Sequence, residues 1–188
     1  NGFGPFQPFQ KLPNIKFDDS NTRVIDLTGD GNPDILITEQ EVFTLYQSLG
    51  RDGFQSAEHW RKPLDEETGP RLVLADNLQS VFLSDMSGDG LADVVRIRTA
   101  EVCYWPNLGY GKFGAKITMD NPPSLDSKDL FHGRRIRLAD IDGSGTTDLI
   151  YLGSDGKVRL YFNASGNAWS DAAELHHFPT TDDLTSVQ

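Results

Sequence analysis

The chain has 188 residues, which is long enough for one sizeable core or for several repeats that share one. Its 17 Lys and Arg residues against 28 Asp and Glu residues give a net charge of −11, which argues against a nucleic-acid binder with clustered cations. The single cysteine, Cys103, excludes an internal disulfide framework, and no run approaches the roughly 18 apolar residues of a membrane span.

Three similar segments follow one another along the chain, starting at Asp26, Asp85 and Asp140, and the starts are 59 and 55 residues apart. Each segment reads Asp, any residue, Asp or a hydroxyl residue, Gly, Asp or Ser, Gly, two residues and a final Asp. We number these nine positions 1 to 9 and call the segments the first, second and third Asp loops.

The sequence around each Asp loop predicts four short strands. A strand precedes the loop, an apolar strand follows it, a third strand begins with Val after a polar turn, and an aromatic residue opens an outer strand. The predicted first strands are 23–25, 81–83 and 136–138, and the second strands are 34–38, 93–98 and 148–152. The third strands begin at Val42, Val102 and Val158, and the outer strands at Phe54, Phe113 and Trp169.

Four short antiparallel strands at this period are typical of a propeller blade. The sequence therefore predicts an all-β fold, a partial β-propeller of about three four-stranded blades, in which residues 1–188 form one domain. The repeats span about 14–60, 80–117 and 135–178, joined by connections at 61–79 and 118–133, and residues 1–13 are predicted as the outer strand of a preceding blade. An independent β-sandwich is the alternative, which the regular period disfavours.

Three blades do not close a ring, because propellers have about 4 to 8 of them. An open arc leaves sheet faces and strand edges exposed. We therefore expect further blades or another chain, including an oligomer of this one, to complete the propeller.

The Asp loops are candidate cation sites. Side-chain oxygens at positions 1, 3, 5 and 9, with the backbone carbonyl of position 7, can surround Ca²⁺, which takes roughly 6 to 8 oxygen ligands. The same side chains can instead hold turns by bonding to backbone amides, and both interpretations stay open. The candidate ligands are Asp26, Thr28, Asp30, Asn32, Asp34, Asp85, Ser87, Asp89, Leu91, Asp93, Asp140, Asp142, Ser144, Thr146 and Asp148.

The loop pattern resembles the FG-GAP or VCBS repeat of integrin-type β-propellers. The stretches 82–95, 103–111 and 135–148 resemble more narrowly the middle region of the B component of bacterial toxin complexes, the Tc toxins or insecticidal TcdB/SpvB-like family. The narrower resemblance covers about residues 80–152, and the rest matches only as generic repeats.

The resemblance to Tc toxins implies a secreted, extracellular bacterial protein without catalysis in this region. In that family the B component forms a shell with the C component, and its propeller docks onto the channel-forming A component. The expected partners are therefore other toxin subunits, with no nucleic acid and no membrane span. A calcium-dependent integrin-like adhesion or glycan-binding propeller is the alternative function.

An enzymatic role finds little support in the sequence. Glu39 and Glu41 superficially resemble the paired glutamates of ADP-ribosyltransferases, yet they align with hairpin turns in the other two repeats. His176 and His177 are adjacent, so on a strand their side chains point to opposite faces, and no third ligand is spaced near them. We predict that the chain is not an enzyme.

Overall fold

The computed structural model describes residues 4–76 and 80–178 and arranges each repeat as a four-stranded antiparallel sheet. The first sheet contains β1 (Thr22–Ile25), β2 (Asp34–Thr38), β3 (Val42–Tyr46) and β4 (Glu58–Arg61). The second contains β5 (Val81–Ser84), β6 (Asp93–Arg98), β7 (Glu101–Trp105) and β8 (Ile117–Thr118). The third contains β9 (Ile136–Ala139), β10 (Asp148–Leu152), β11 (Val158–Tyr161) and β14 (Ala173–Leu175), with a hairpin of β12 (Asn163–Ala164) and β13 (Ala168–Trp169) before its last strand.

The fold is all-β, as the sequence predicted. The described residues contain no α-helix, and their helical content is limited to two 3₁₀ turns, Gly50–Asp52 and Gly133–Arg135. Within those same ranges no helix is long and apolar enough to cross a membrane. The turn-favouring Gly, Pro and Asp residues account for this, because they interrupt every apolar run before a helix of useful length can form.

The first two sheets are meanders in which neighbouring strands are also neighbours in sequence, and the third departs from this only where the β12–β13 hairpin precedes its last strand. The second strands occupy the predicted ranges, because each begins at the buried Asp of position 9 and continues as an apolar run. The predicted outer strands are wrong in one respect. Phe54, Phe113 and Trp169 do not open them. They pair with Ser48, Asn107 and Asn163 before the outer strands, Trp169 within β13, and the outer strands begin four residues later.

The segment before the first sheet touches that sheet at one point. Lys11 forms a parallel bridge with Gly53, and the Phe9 ring meets the Phe54 ring edge-on with centroids 6.0 Å apart. Residues 1–3 of the predicted preceding strand lie outside the described residues, as do 77–79 of the connection before the second sheet. The assignment of 1–13 to a preceding blade stays a prediction.

The core consists of two apolar clusters, each lying between consecutive sheets. Side chains alternate across a strand, so the second sheet contributes to both clusters. Val94, Cys103 and Trp105 pack toward the first sheet, and Val95, Ile97 and Tyr104 pack toward the third. The first sheet adds Leu27, Leu36, Phe43 and Leu45, and the third adds Ile136, Leu149, Tyr151, Tyr161 and Trp169. The three repeats therefore stack face to face in chain order.

Candidate functional site

The carboxylates at position 1 of the Asp loops accept hydrogen bonds from glycine amides. Asp26 and Asp85 each bind the position 4 amide through Oδ1 at 2.7 Å and the position 6 amide through Oδ2 at 2.8 Å. Asp140 binds the same two amides at 2.8 and 3.0 Å. The glycines make this curl possible, because all six have φ between 77° and 89°, where L side chains are strained.

The carboxylates at position 9 are the best-buried acids of the loops. Asp34, Asp93 and Asp148 are fully buried. One oxygen of each accepts the position 2 amide at 2.8 to 3.1 Å, and the other accepts, at 2.8 Å, an amide that follows the third strand. These acids tie the start of each loop to the end of the third strand.

Burial raises the pKa of Asp93 to about 6, although the amides of Asn107 and Met86 oppose the shift by stabilising its charged form. The folded pKa lies above the ordinary value for Asp, so this carboxyl stabilises the fold more when protonated. Its contribution is complete below the ordinary value and is lost as pH rises through about 6.

The third loop brings its acids together more closely than the other two. One oxygen each of Asp140, Asp142 and Asp148 lie within 4.8 Å of one another, and this is the one such acidic group among residues 4–76 and 80–178. Asp142 and Asp140 are exposed, while Asp148 is buried. The first two loops hold a hydroxyl at position 3, and within the described ranges the buried oxygens of Thr28 and Ser87 have no hydrogen-bond partner.

The side chains of the Asp loops fit an oxygen-coordinated cation such as Ca²⁺ in part. Three converging carboxylates in the third loop and two buried, unpartnered hydroxyls in the others are oxygen donors of the required kind. The position 1 and position 9 carboxylates already accept amides, which leaves only their second lone pairs for a metal. The remaining candidate ligands lie near these residues in the loops. Asp30 and Asp89 accept the amides of Asn32 and Leu91, and the Ser144 and Thr146 hydroxyls lie 3.0 Å apart.

Two buried asparagines join the Asp loops of neighbouring repeats, and sequence analysis did not single them out for this role. Asn107 donates through Nδ2 to the Leu27 carbonyl of the first loop at 3.1 Å. Asn163 donates in the same way to the Met86 carbonyl of the second loop at 2.9 Å. The signal was present in the repeat alignment, because both residues come two positions after the end of a third strand and pair with an aromatic residue.

A buried ionic cluster fixes the connection between the first and second sheets. Arg96 on β6 donates to both oxygens of Glu66 at 2.8 and 3.3 Å and to Glu101 at 2.8 Å. The Trp105 indole also donates to the Glu66 carbonyl at 2.7 Å. The hydrogen bonds from Arg96 lower the pKa of Glu66 to about 2. Sequence analysis missed this cluster because Glu66 lies in a loop with no counterpart in the other repeats.

A cleft of about 810 Å³ runs along the first strands of all three sheets. Arg23 of β1, Phe82 of β5 and Arg137 of β9 occupy the same position in their strands and line it together. Arg23 and Arg137 each fold back through Nη1 onto the carbonyls one and three residues before them. With Arg134 they make the cleft cationic, and Asp76 is the one acidic residue among its described lining residues.

The other candidate positions are turns or buried residues. Glu39 and Glu41 lie in the turn between β2 and β3, where Glu41 pairs with Arg71 at 3.4 Å. His176 and His177 follow β14 and are exposed. Cys103 is buried, and burial raises the pKa of its thiol to about 11, which leaves it as an unreactive thiol at neutral pH.

The structure is similar to part of a known toxin. The Tc holotoxin pore of Photorhabdus luminescens aligns over 92% of this chain at 32% sequence identity with a TM-score of 0.75. The aligned region makes up 8% of the Photorhabdus chain, so this chain spans less than a tenth of that protein.

Two further structures are similar at lower identity. A lectin of Agrocybe aegerita that recognises non-reducing terminal N-acetylglucosamine aligns over 80% of this chain and 36% of its own, at 20% identity and a TM-score of 0.55, which supports the fold alone. The TcdB2–TccC3–Cdc42 crystal structure aligns over 85% of this chain and 12% of its own, at 20% identity and a TM-score of 0.47.

Comparisons that use the sequence without the structure find no match. No protein-family model matches the chain, and no curated protein matches it. The structural match nevertheless covers the region where the sequence resembles the middle of a Tc toxin component. The resemblance to Tc toxins that the sequence predicted is therefore confirmed.

Proposed function

We propose that this chain is a β-propeller segment of a Tc-like toxin B component, and that it serves as a non-catalytic docking scaffold for other toxin subunits. The single observation that carries the proposal is the similarity to the Photorhabdus Tc holotoxin pore over 92% of this chain. The partners we propose are a channel-forming A component and a C component, outside the cell that secretes them.

The stacking of the sheets supports the propeller part of the proposal. Consecutive repeats pack face to face, and the first strands of all three border one cleft. In a propeller the first strands of the blades surround the central axis, so this cleft corresponds to a sector of the channel. Three sheets supply an arc of that ring.

The arrangement of charges supports a scaffold rather than a catalytic role. Glu66, whose pKa is lowered to about 2, is held in a structural ionic cluster. The most buried acids, at position 9, are held by backbone amides. Perturbed groups at an active site face a cleft, whereas the position 9 acids are buried and Glu66 is paired with Arg96 and Lys116.

A segment exchange tests the docking role. In the Photorhabdus complex, the aligned segment is replaced by residues 4–178 of this chain, and assembly of the holotoxin is followed by size-exclusion chromatography and electron microscopy. We expect assembled particles, because a scaffold segment of the same fold restores the docking surface. A soluble exchanged component that no longer associates with the channel subunit would contradict the proposal.

Calcium binding is a second candidate property, which the three converging acids of the third loop favour. We propose that this loop takes Ca²⁺ weakly, because each loop offers three carboxylates and ligand charge sets affinity. Excess Ca²⁺ should raise the thermal midpoint of the chain, and Asp142→Asn should remove the rise, whereas the same exchange at position 5 of the first loop, Asp30→Asn, should leave it. An equal midpoint with Ca²⁺ and with chelator would contradict this and would also weaken the adhesion alternative.

A further inference from the structure

The position 2 residues of the three Asp loops are chemically alike but differ in exposure. Leu27 and Met86 are fully buried, whereas Ile141 is 39% exposed. Leu27 belongs to the cluster between the first and second sheets, and Met86 to the cluster between the second and third. Each is therefore covered by the repeat that follows it along the chain.

The same loops also receive a hydrogen bond from the following repeat. The Asn107 amide reaches the Leu27 carbonyl and the Asn163 amide reaches the Met86 carbonyl, and each also binds the position 8 carbonyl of its own loop, at 3.2 and 3.1 Å. The corresponding acceptor in the third loop is the Ile141 carbonyl. No donor among the residues described for this chain hydrogen-bonds to it.

The position 4 glycine completes the contact. A Cβ atom on Gly29 would lie 2.7 Å from Leu91, and one on Gly88 would lie 3.0 Å from Thr146, each the position 7 residue of the following loop. A Cβ atom on Gly143 would have nothing within 4 Å. We call the position 2 residue and the position 4 glycine of one loop its docking socket. Two sockets are filled by the following repeat, and the third is open.

The face of the third sheet behind the open socket is less covered near the loop than its equivalents, although Leu152 and Val158 farther along this face are buried. Strand pairing places Leu36, Val95 and Ile150 at equivalent positions on the second strands, facing the following repeat. Leu36 and Val95 are buried, whereas Ile150 is only partly buried. Its strand partner Leu160 is likewise partly buried, while the equivalent Leu45 is fully buried. The open socket and this apolar face correspond to surfaces that form an interface twice elsewhere in the molecule.

We propose that the open socket of the third loop receives a further Asp-loop repeat, one that carries an Asn at the position of Asn107 and Asn163. The Asp loop is then a connector between repeats as well as a turn, and the Asn amide sets the register of stacking. The inference rests on the propeller part of the proposed function and is independent of the toxin partner.

A second copy of this chain is a poorer occupant than a repeat with that Asn. Its first repeat holds Ser48 at this position, and the Ser48 hydroxyl accepts the Gly50 amide of its own turn at 3.2 Å. A serine side chain is also shorter than asparagine and has no amide group with two donors. The socket therefore selects against the first repeat of another copy.

Thiol labelling of an extended chain tests the proposal. Ile141→Cys is introduced into a chain that carries a second copy of residues 119–178 after residue 178, and into the unextended chain. The added residues contain no cysteine, and buried Cys103 provides a silent background. The matched control carries Asn163→Ala in the added copy only. The probe is a small maleimide, and its rate of reaction is measured under native conditions.

We expect the thiol at position 141 to react at least about tenfold more slowly in the extended chain than in the unextended one, because only local opening would expose it. The Asn163→Ala control should recover most of the unextended rate. Equal rates in the extended and unextended chains would overturn the socket, while leaving the segment-exchange test of the toxin role unaffected. Slow labelling of the unextended chain that weakens on dilution would also overturn it, in favour of self-association.

Discussion

The second and third sheets are built from the same repeat, yet the central strands of the second are buried on both faces, whereas the third keeps partly exposed apolar residues on the face away from the second. The second sheet sends Trp105 into one cluster and Tyr104 into the other, and both side chains are buried. The third sheet buries Tyr161 against the second, while Leu160 on its other face stays partly exposed. Both faces of both sheets are apolar in sequence.

The difference teaches that the pattern of a repeat encodes an interface, whereas burial depends on the neighbour that is present. Stacked repeats gain their stability from nearest-neighbour contacts as well as from each unit. An apolar face without a neighbour therefore marks a place where the fold continues or docks. The expected effects below follow this contrast, from the largest to the smallest.

A matched pair of side-chain truncations should give the largest difference in stability between a covered sheet face and a partly exposed one. Leu45→Ala empties a fully buried site between the first and second sheets and should lower the free energy of unfolding by about 3 kcal/mol. Leu160→Ala removes the same atoms at the equivalent, partly exposed position and should cost about 1 kcal/mol or less. Urea denaturation measures both, and equal losses would contradict the lower burial of Leu160 on the outer face of the third sheet.

Loss of the Arg96 guanidinium tests the cluster that only the second sheet has. Arg96→Met leaves Glu66 and Glu101 without their shared cation and should cost about 2–3 kcal/mol, less than a fully buried pair because both acids are partly exposed. Arg159→Met in the third sheet is the control, since its pair with Asp155 is a local surface contact. Chemical denaturation measures the free energy of unfolding of both variants. Similar losses would contradict a larger structural role for the Arg96 cluster than for the Arg159 surface pair.

The asparagine contacts give a smaller effect that is specific to the filled sockets. Asn107→Ala leaves the Leu27 carbonyl buried without its donor and should cost about 1–3 kcal/mol, as should Asn163→Ala at the Met86 carbonyl. Ser48→Ala, at the equivalent position of the first repeat, should cost well under about 1 kcal/mol because its hydroxyl bonds only within its turn. If all three thermal midpoints fall equally, the asparagines do not join repeats.

The ionic cluster also has a pH signature. The pKa of Glu66 is lowered to about 2 in the fold, so its contribution to stability is complete above its ordinary value of 4.5 and is lost as pH falls through about 2. The difference in urea midpoint between the parent chain and Glu66→Gln should therefore be largest at pH 6 and shrink toward pH 2. A difference that stays constant over this range would exclude the charge of Glu66 as its cause.

Sequence periodicity predicted the strand content and the Asp loops but not how the repeats differ. The apolar run after each position 9 Asp fixed the second strands, because that buried carboxylate binds local amides in every copy. The third strands illustrate the limit. Pairing with the second strands makes Val102 and Val158 equivalent to Phe43 rather than to Val42, so the shared Val does not mark the same register position in all three repeats. Turn geometry sets register, and composition does not reveal it.

The candidate site could also be predicted only in part from the sequence. The loop acids could be named from spacing alone, and the third loop gathers three of them within 4.8 Å. The asparagines that join repeats could not, because their partners lie 80 and 77 residues away in sequence and the contact exists only once sheets stack. Long-range contacts of this kind depend on the packing of the whole fold.

Native-state hydrogen exchange is the most direct test that the central strands of the second sheet are covered more completely than those of the third. The amides of the β6–β7 ladder should exchange only through global unfolding, whereas those of the β10–β11 ladder should exchange through openings of lower free energy. Exchange from both ladders with the same free energy and the same dependence on denaturant would contradict the account.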